Sequence, residues 1–286
     1  MKIIHISDTH VGHGDNENRL NRVVEDILSL GHPWEHIVIH TGDLIDQGIT
    51  EQMDIAEPIL KRFTQRGWRI LLSPGNHDYG NAVKVDSEWA RTFRERFKPY
   101  LFGEQEPSAG HGNAGEFPVF TLAGNCAFIG LDSNAGEMAF WVRWMAEGSL
   151  GEPQIAALNA RLDGLKGKTI VVYLHHHPFQ DAYAVDPEPG QRGYVSHLLG
   201  LNTRRFRRLK DAYRLLHCLR DRVHILLFGH QHFGLDYSAE GQRYGIPLAL
   251  DASSTTQARN EKPGRLSYRI VDTATLRYET RFVPCE

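Results

Sequence analysis

The chain has 286 residues, ample for one large domain with a sizeable core, and its 41% hydrophobic and 23% charged content is that of an ordinary globular protein. A formal net charge of -3 excludes a strong overall pull toward nucleic acid or membrane surfaces, and three widely spaced cysteines (Cys126, Cys218, Cys285) exclude a disulfide framework and a CxxC zinc site. The opening residues, MKIIHISDTH, enter a strand at once without an apolar leader region, and no apolar run approaches the ~20 residues of a membrane helix, so a cytoplasmic location is expected.

In chain order, KIIHI (2–6) reads as a buried strand, followed by a helix with Leu20, Val23, Val24, Ile27 and Leu28 on one face. HIVIH (36–40) is a second strand and 51–66 a second helix; WRILLS (68–73) is a third strand and 86–97 a further helix. After a Gly/Pro-rich loop at 103–116, FPVFTLA and CAFIGLDS form a hairpin about Gly124-Asn125. A helix spans 152–165, with Glu152-Pro153 in its first turn. TIVVYL (169–174) and VHILLFG (223–229) are buried strands joined through a loop and a helix near 203–221. From 233 onward, strand-like runs (IPLALDAS, RLSYRIVD, LRYETRF) alternate with turns and no helix is expected. Alternating strand and helix predicts an α/β organisation, the β-rich tail adds a second sheet packed on the first, and the absence of repeats or linkers predicts one domain over 1–286.

The residues just beyond each buried strand decide the chemistry. The first strand runs into SDTH (Asp8, His10), the second into TGDLIDQG (Asp43, Asp46), and the third into PGNHD (Asn76, His77, Asp78). The strand at 169–174 runs into HHHP, and that at 223–229 into GHQH (His230, His232). Sites of open α/β sheets gather at the carboxyl ends of strands, and a mixture of carboxylate, imidazole and amide oxygen without thiolate suits Mn, Fe, Zn or Co. In Asp8-x-His10 and His230-x-His232 the outer residues are two apart, so both can converge on one cation or on neighbouring cations. Two cations ~3.5–4 Å apart need a shared carboxylate, and Asp43, preceded by Gly42, is the natural bridge.

The order Asp-x-His, Gly-Asp, Gly-Asn-His-Asp, His, Gly-His-x-His resembles the calcineurin-like metallophosphoesterase superfamily. HISDTHVG, GSLGEPQIAALNARL and SSTT (253–256) are most similar to its bacterial cyclic-nucleotide and glycerophosphodiester phosphodiesterase branch, over residues 3 to about 256. The resemblance implies a four-layer αββα sandwich of two mixed sheets with two divalent or trivalent metal ions (Mn, Fe, Zn or Co). One ion would be held by Asp8, His10, Asp43 and His232, the other by Asp43, Asn76, His175 and His230. His77 would touch the phosphate or protonate the leaving oxygen, with the Asp46 carboxylate orienting its ring. The reaction implied is hydrolysis of a small phosphodiester by a metal-bound hydroxide. Phosphomonoesterase, nuclease and non-catalytic scaffold are the alternatives, with every ligand position filled against the last and a near-neutral charge against a nucleic-acid substrate.

Several residues stay open or take a structural reading. The family pattern fits either His175 or His176; His175 directly follows the strand and is preferred, leaving His176 to support it or contact phosphate. Asp78 is read as capping the following turn, His5 and His40 as core or supporting histidines, and His13 as a loop residue able to face substrate. The basic stretch 202–214 reads as a solvated helix face and the aromatic cluster MAFWVRWM (138–145) as packing or a subunit contact. The loops 103–116 and 181–200 are candidate rims, lids or arms of a homodimer.

Overall fold

Strands that are apolar without a break must be covered on both faces, and the alternation of side chains across a strand sorts each residue to one cover or the other. The computed structural model describes residues 1–81, 85–103, 116–135, 147–179, 209–257 and 265–285. Two five-stranded sheets carry the fold. The first has the order β10-β9-β1-β2-β3, from β1 (Lys2–Ile6), β2 (His36–His40), β3 (Arg69–Leu72), β9 (Arg265–Asp272) and β10 (Arg277–Pro284). The second has the order β4-β5-β6-β7-β8, from β4 (Val119–Ala123), β5 (Cys126–Gly130), β6 (Thr169–Tyr173), β7 (Ile225–Phe228) and β8 (Leu248–Asp251). Both are mixed: β1, β2 and β3 run parallel with β9 antiparallel to β1, and β5 to β8 run parallel with β4 antiparallel to β5.

Three apolar clusters define four layers. Ile4, Ile6, Val38, Ile70 and Leu72 face α1 (Asn16–Ser29) and α2 (Thr50–Gln65), meeting Leu20, Val24, Ile27, Met53 and Leu60. Their strand neighbours Ile3, Ile37, Ile39 and Leu71 point the other way, onto Phe128, Val171, Tyr173, Ile225 and Leu227 of the second sheet. The outer face of that sheet, with Ile129, Val172 and Leu226, packs on α5 (Glu152–Leu162) and α6 (Ala212–Leu219) through Leu158, Leu162, Leu215 and Leu219. Each such fully buried Leu or Ile contributes roughly 1.5–3 kcal/mol relative to exposure. The αββα order expected from the sequence is therefore present.

The differences are local. The helix expected at 86–97 is α3 (Ser87–Arg96), started by the Asp86 carboxylate accepting from the Glu88 and Trp89 N–H groups. A separate short helix, α4 (Lys98–Phe102), follows with Pro99 in its first turn. The helix expected to reach 165 ends at Leu162 and finishes as a 3-10 turn containing Gly164. The tail does contain a helix, α7 (Ser238–Gln242), whose five residues are too few to show a helical period in sequence. Of the basic stretch at 202–214, residues 209–214 are described; 202–208, most of the loop at 103–116, and the segments 138–145 and 181–200 lie outside the described residues. No described helix is long and apolar enough to cross a membrane.

Candidate metal centre

The parallel strands of both sheets deliver their carboxyl ends to one edge, and the polar residues there leave the strands abruptly. Asp8, His10, Asp43, His230 and His232 all hold positive φ, at 50, 43, 53, 75 and 58°. A side chain in that left-handed region costs ~1–3 kcal/mol, so the surroundings must impose it. Gly42 (φ 96°) and Gly75 let the loops close: a Cβ on Gly42 would lie 2.6 Å from His175 Nδ1 and 2.8 Å from the Gly75 nitrogen. A Cβ on Gly75 would overlap the Asp43 carboxylate and main-chain nitrogen.

These turns bring all seven expected ligands together. His232 Nε2 stands 3.1 Å from Asp8 Oδ1 and 3.2 Å from His10 Nε2. His175 Nε2 stands 3.1 Å from Asn76 Oδ1, 3.1 Å from His230 Nδ1 and 3.3 Å from Asp43 Oδ2. Asp43 Oδ2 is also 3.8 Å from His10 Nε2, so this one carboxylate touches both groups. The main chain ties the set: His230 N–H donates to both Asp8 oxygens at 3.1 Å, and His77 N–H to Asp43 Oδ1 at 2.9 Å.

The donor set fits a cation. His175 Nδ1 donates to the Thr41 carbonyl at 2.9 Å, which turns Nε2 toward Asn76, Asp43 and His230. One proton on Nε2 can bond only one of these three neighbours, whereas a cation serves all of them. Four groups of three side chains could each hold an ion: Asp8–His10–His232, Asp8–Asp43–His175, His175–His176–His230 and His10–Asp46–His77. The charges agree. Burial opposes ionisation of Asp8, but His232 and His175 bring its carboxyl down to about 2; Asp43 is likewise held well below the usual carboxylate range by His175 and His77 despite its burial. Burial pushes His175 down, yet Asp43 and Asp8 prevail and lift it to about 9. The apoprotein thus holds a proton where a cation would supply positive charge.

His77 and Asp46 meet differently from the expectation. His77 Nδ1 donates to the main-chain carbonyl of Asp46 at 2.7 Å, a bond that leaves Nε2 out. The Asp46 carboxylate lies 3.9 Å from that Nδ1 and turns instead to His10 Nδ1 at 3.3 Å. The shift to His10 follows from the backbone: Asp46 and Gln47 N–H groups both donate to Gln52 Oε1, presenting the carbonyl rather than the side chain to His77. His13, largely exposed, reaches Asp46 at 3.7 Å. His176 has Nδ1 2.8 Å from Ser133 Oγ and its ring 4.4 Å from that of His230, with which it shares one of the four groups.

Two supporting residues carry more than the sequence reading assigned them. Asp78 does not cap the following turn; its carboxylate accepts from Gly75 N–H at 2.8 Å and Ile45 N–H at 3.1 Å, binding the third motif loop to the second. Burial and the Asp43 charge raise it to about 8. His40, kept neutral by burial with its pKa near 3, accepts from Gly42 N–H at 3.2 Å through Nδ1 and so donates through Nε2 to Thr9 Oγ1 at 3.0 Å. Thr9 passes the bond on to the Leu44 carbonyl, which joins the first and second motif loops. His5 bonds Thr41 Oγ1 at 3.0 Å inside the fold. An Asp two residues beyond a candidate ligand Asn, and a His ending a strand ahead of Gly-Asp, were the available signals.

The profile of the family described as calcineurin-like phosphoesterase matches residues 1–234. The chain belongs to that family. Its members' metal dependence accords with the Asp/His groups found here. The probable glycerophosphodiester phosphodiesterase GpdQ of Arcobacter nitrofigilis is 25% identical over 186 residues, covering 62% of this chain and 58% of that protein, so the match spans less than two thirds of the relative. Among solved structures, the phosphopantetheinyl hydrolase PptH of Mycobacterium tuberculosis superposes with a TM-score of 0.50 at 13% identity, over 92% of this chain and 93% of that one. At that identity the likeness is one of fold.

Proposed function

We propose that this family member is a phosphodiesterase with two metal ions that hydrolyses small phosphodiesters of the glycerophosphodiester or cyclic-nucleotide type. The observation that carries the reading is Asp43 Oδ2, within 3.3 Å of His175 Nε2 and 3.8 Å of His10 Nε2, one carboxylate common to two donor groups. Asp8, His10 and His232 would hold one ion, and Asn76, His175 and His230 the other. When bound, such a pair supplies the Lewis acidity that activates water and neutralises phosphoryl charge.

The chain's own residues do the rest. His77, fixed through Nδ1 to a main-chain carbonyl, holds Nε2 ready to give a proton to the departing alcohol oxygen. The Asp8 and Asp43 carboxylates stay ionised in a dry site, so the negative charge that holds the ions is present at neutral pH. The substrate class leans on the likeness to the glycerophosphodiester phosphodiesterase. The test is hydrolysis of bis(p-nitrophenyl) phosphate against p-nitrophenyl phosphate with added Mn²⁺, before and after chelation, extended to glycerophosphodiesters and cyclic AMP. Metal-dependent diester turnover above monoester turnover is expected. Monoester preference would move the reading to a phosphatase, and no turnover with any metal would end it.

A further inference from the structure

The exit of β1 is held by a distant segment, Ser254-Thr255-Thr256, whose partners lie about 250 residues earlier in the chain. Ser254 Oγ donates to the Asp8 carbonyl at 2.7 Å, and Thr256 Oγ1 to the Thr9 carbonyl at 2.8 Å. Thr255 brackets the residue before: its N–H donates to the Ser7 carbonyl at 3.0 Å, and its Oγ1 accepts from Ser7 N–H at 3.1 Å. All three side chains are completely buried. The segment is itself anchored, since Arg19 of α1 donates to the Thr256 carbonyl at 3.1 Å.

The targets of these bonds matter more than their number. Asp8 and His10 both sit in the left-handed region, at φ 50 and 43°, so the peptide groups around Thr9 are turned away from a regular strand ladder. Buried carbonyls turned in this way need donors from elsewhere, and Ser254 and Thr256 supply them. A rotation of either peptide would swing the Asp8 carboxylate or the His10 ring away from His232 and break one of these bonds. The described hydrogen bonds of Ser254, Thr255 and Thr256 to the motif loops all go to residues 7–9, and none goes to Asn76, His175 or His230.

We propose that Ser254, Thr255 and Thr256 are positioning residues that set the aim of Asp8 and His10, and thereby the affinity of one metal ion more than that of the other. The proposal rests on the two-ion reading above. A segment that merely stabilised the fold would act on both ions alike.

The experiment is calorimetric titration of the full metal-free chain with Mn²⁺, comparing the wild type with Ser254→Ala, Thr256→Val, Ser254→Thr and Thr256→Ser. Asn76→Ala serves as the reference that identifies which binding step belongs to the other ion. Expected is an affinity loss of about 10–100-fold in the step that Asn76→Ala spares, as for other groups that orient metal ligands. The other step should weaken far less, and both hydroxyl-retaining variants should bind as the wild type does. Equal weakening of both steps, or of neither, overturns the clamp. Thr256→Val keeps the side-chain shape and decides alone if Ser254→Ala does not fold. A wild-type chain that takes up fewer than two ions refutes the two-ion reading itself, a result distinct from failure of the clamp.

Discussion

Gly75 tests whether the site depends on the close approach of two loops. It does not need a left-handed backbone, so Gly75→Ala isolates the effect of one methyl group. That methyl would overlap Asp43 Oδ1 and the Asp43 nitrogen and lie 2.8 Å from Asp43 Cγ, and no Cβ in a real protein tolerates contacts under 3.0 Å. Either the 43–46 loop or the 75–78 loop must retreat by about 1 Å, and displacements of that size in a catalytic constellation cost on the order of 100-fold in rate. Because Asp43 Oδ2 lies near both donor groups, metal affinity should fall at both together. The overpacking should also lower stability by ~1–3 kcal/mol. The assay pairs diester hydrolysis with Mn²⁺ titration and thermal unfolding. Gly164→Ala is the control, since a Cβ there meets nothing within 4 Å. Wild-type turnover and metal affinity in Gly75→Ala would refute the claim that Asp43 is held by this contact.

Four further outcomes are expected. His175, lifted to about 9 in the apoprotein by Asp43 and Asp8 against its burial, should release its proton when an ion binds, so Mn²⁺ affinity should climb by up to about tenfold per pH unit until about pH 9; calorimetry in buffers of different ionisation heat detects the proton, and no uptake by any buffer would contradict it. The same raised value stabilises the apoprotein below pH 6.5 and is lost as pH rises through about 9, so the apo melting temperature should fall across that window and the metal-loaded one should not. Asp78, raised from 3.8 to about 8 chiefly by burial and then by Asp43, favours folding at low pH and loses that contribution as pH rises through about 8; Asp78→Asn should flatten the apo stability profile between those values, and an unchanged slope would exclude Asp78 as its source. Asp46→Ala keeps the carbonyl that holds His77, so metal affinity should weaken by about 10–100-fold through His10 while the acidic-group limb of the pH–rate profile stays put; a moved limb with unchanged affinity would restore the carboxylate–His77 pairing.

The gathering of the candidate ligands was legible because buried parallel strands are unbroken apolar runs, and a carboxylate or imidazole directly after such a run has few places to go but the sheet edge. Ile3, Ile37 and Leu71 alternate with Ile4, Val38 and Leu72, but both sets are apolar, so which of them meets the second sheet shows only in the fold. Main-chain direction is the part that sequence could not carry. That Asp46 presents its carbonyl to His77 depends on Gln52 gathering two N–H groups, and no residue pattern records it. Left-handed turns are foreseeable at Gly42 but not at Asp8, His10, Asp43, His230 or His232, where surrounding hydrogen bonds override a local preference against them. The hydroxyls of 254–256 escape for a different reason: their partners are remote in the chain, so neither propensity nor spacing connects them.

The triple histidine after β6 shows both the reach and the end of sequence reasoning. Three identical letters leave the strand, and the pleat that sorted residues within β6 no longer applies beyond Tyr173. His175 turns toward the first sheet, bonded through Nδ1 to the Thr41 carbonyl and facing Asn76 and Asp43 through Nε2. His176 turns to Ser133 and rests under Gly148, where a Cβ would press on its ring. His177 is packed among Phe179, Phe228 and Tyr237, with ring centroids 6.1, 4.6 and 4.4 Å away, and burial holds its pKa near 3. Asp43 and Asp8 act on both His175 and His176, but only at His175 do they outweigh burial, and His177 feels burial alone. Position directly after the strand favours His175, but the decisive difference is the company each ring keeps, which the three loops from the other sheet provide.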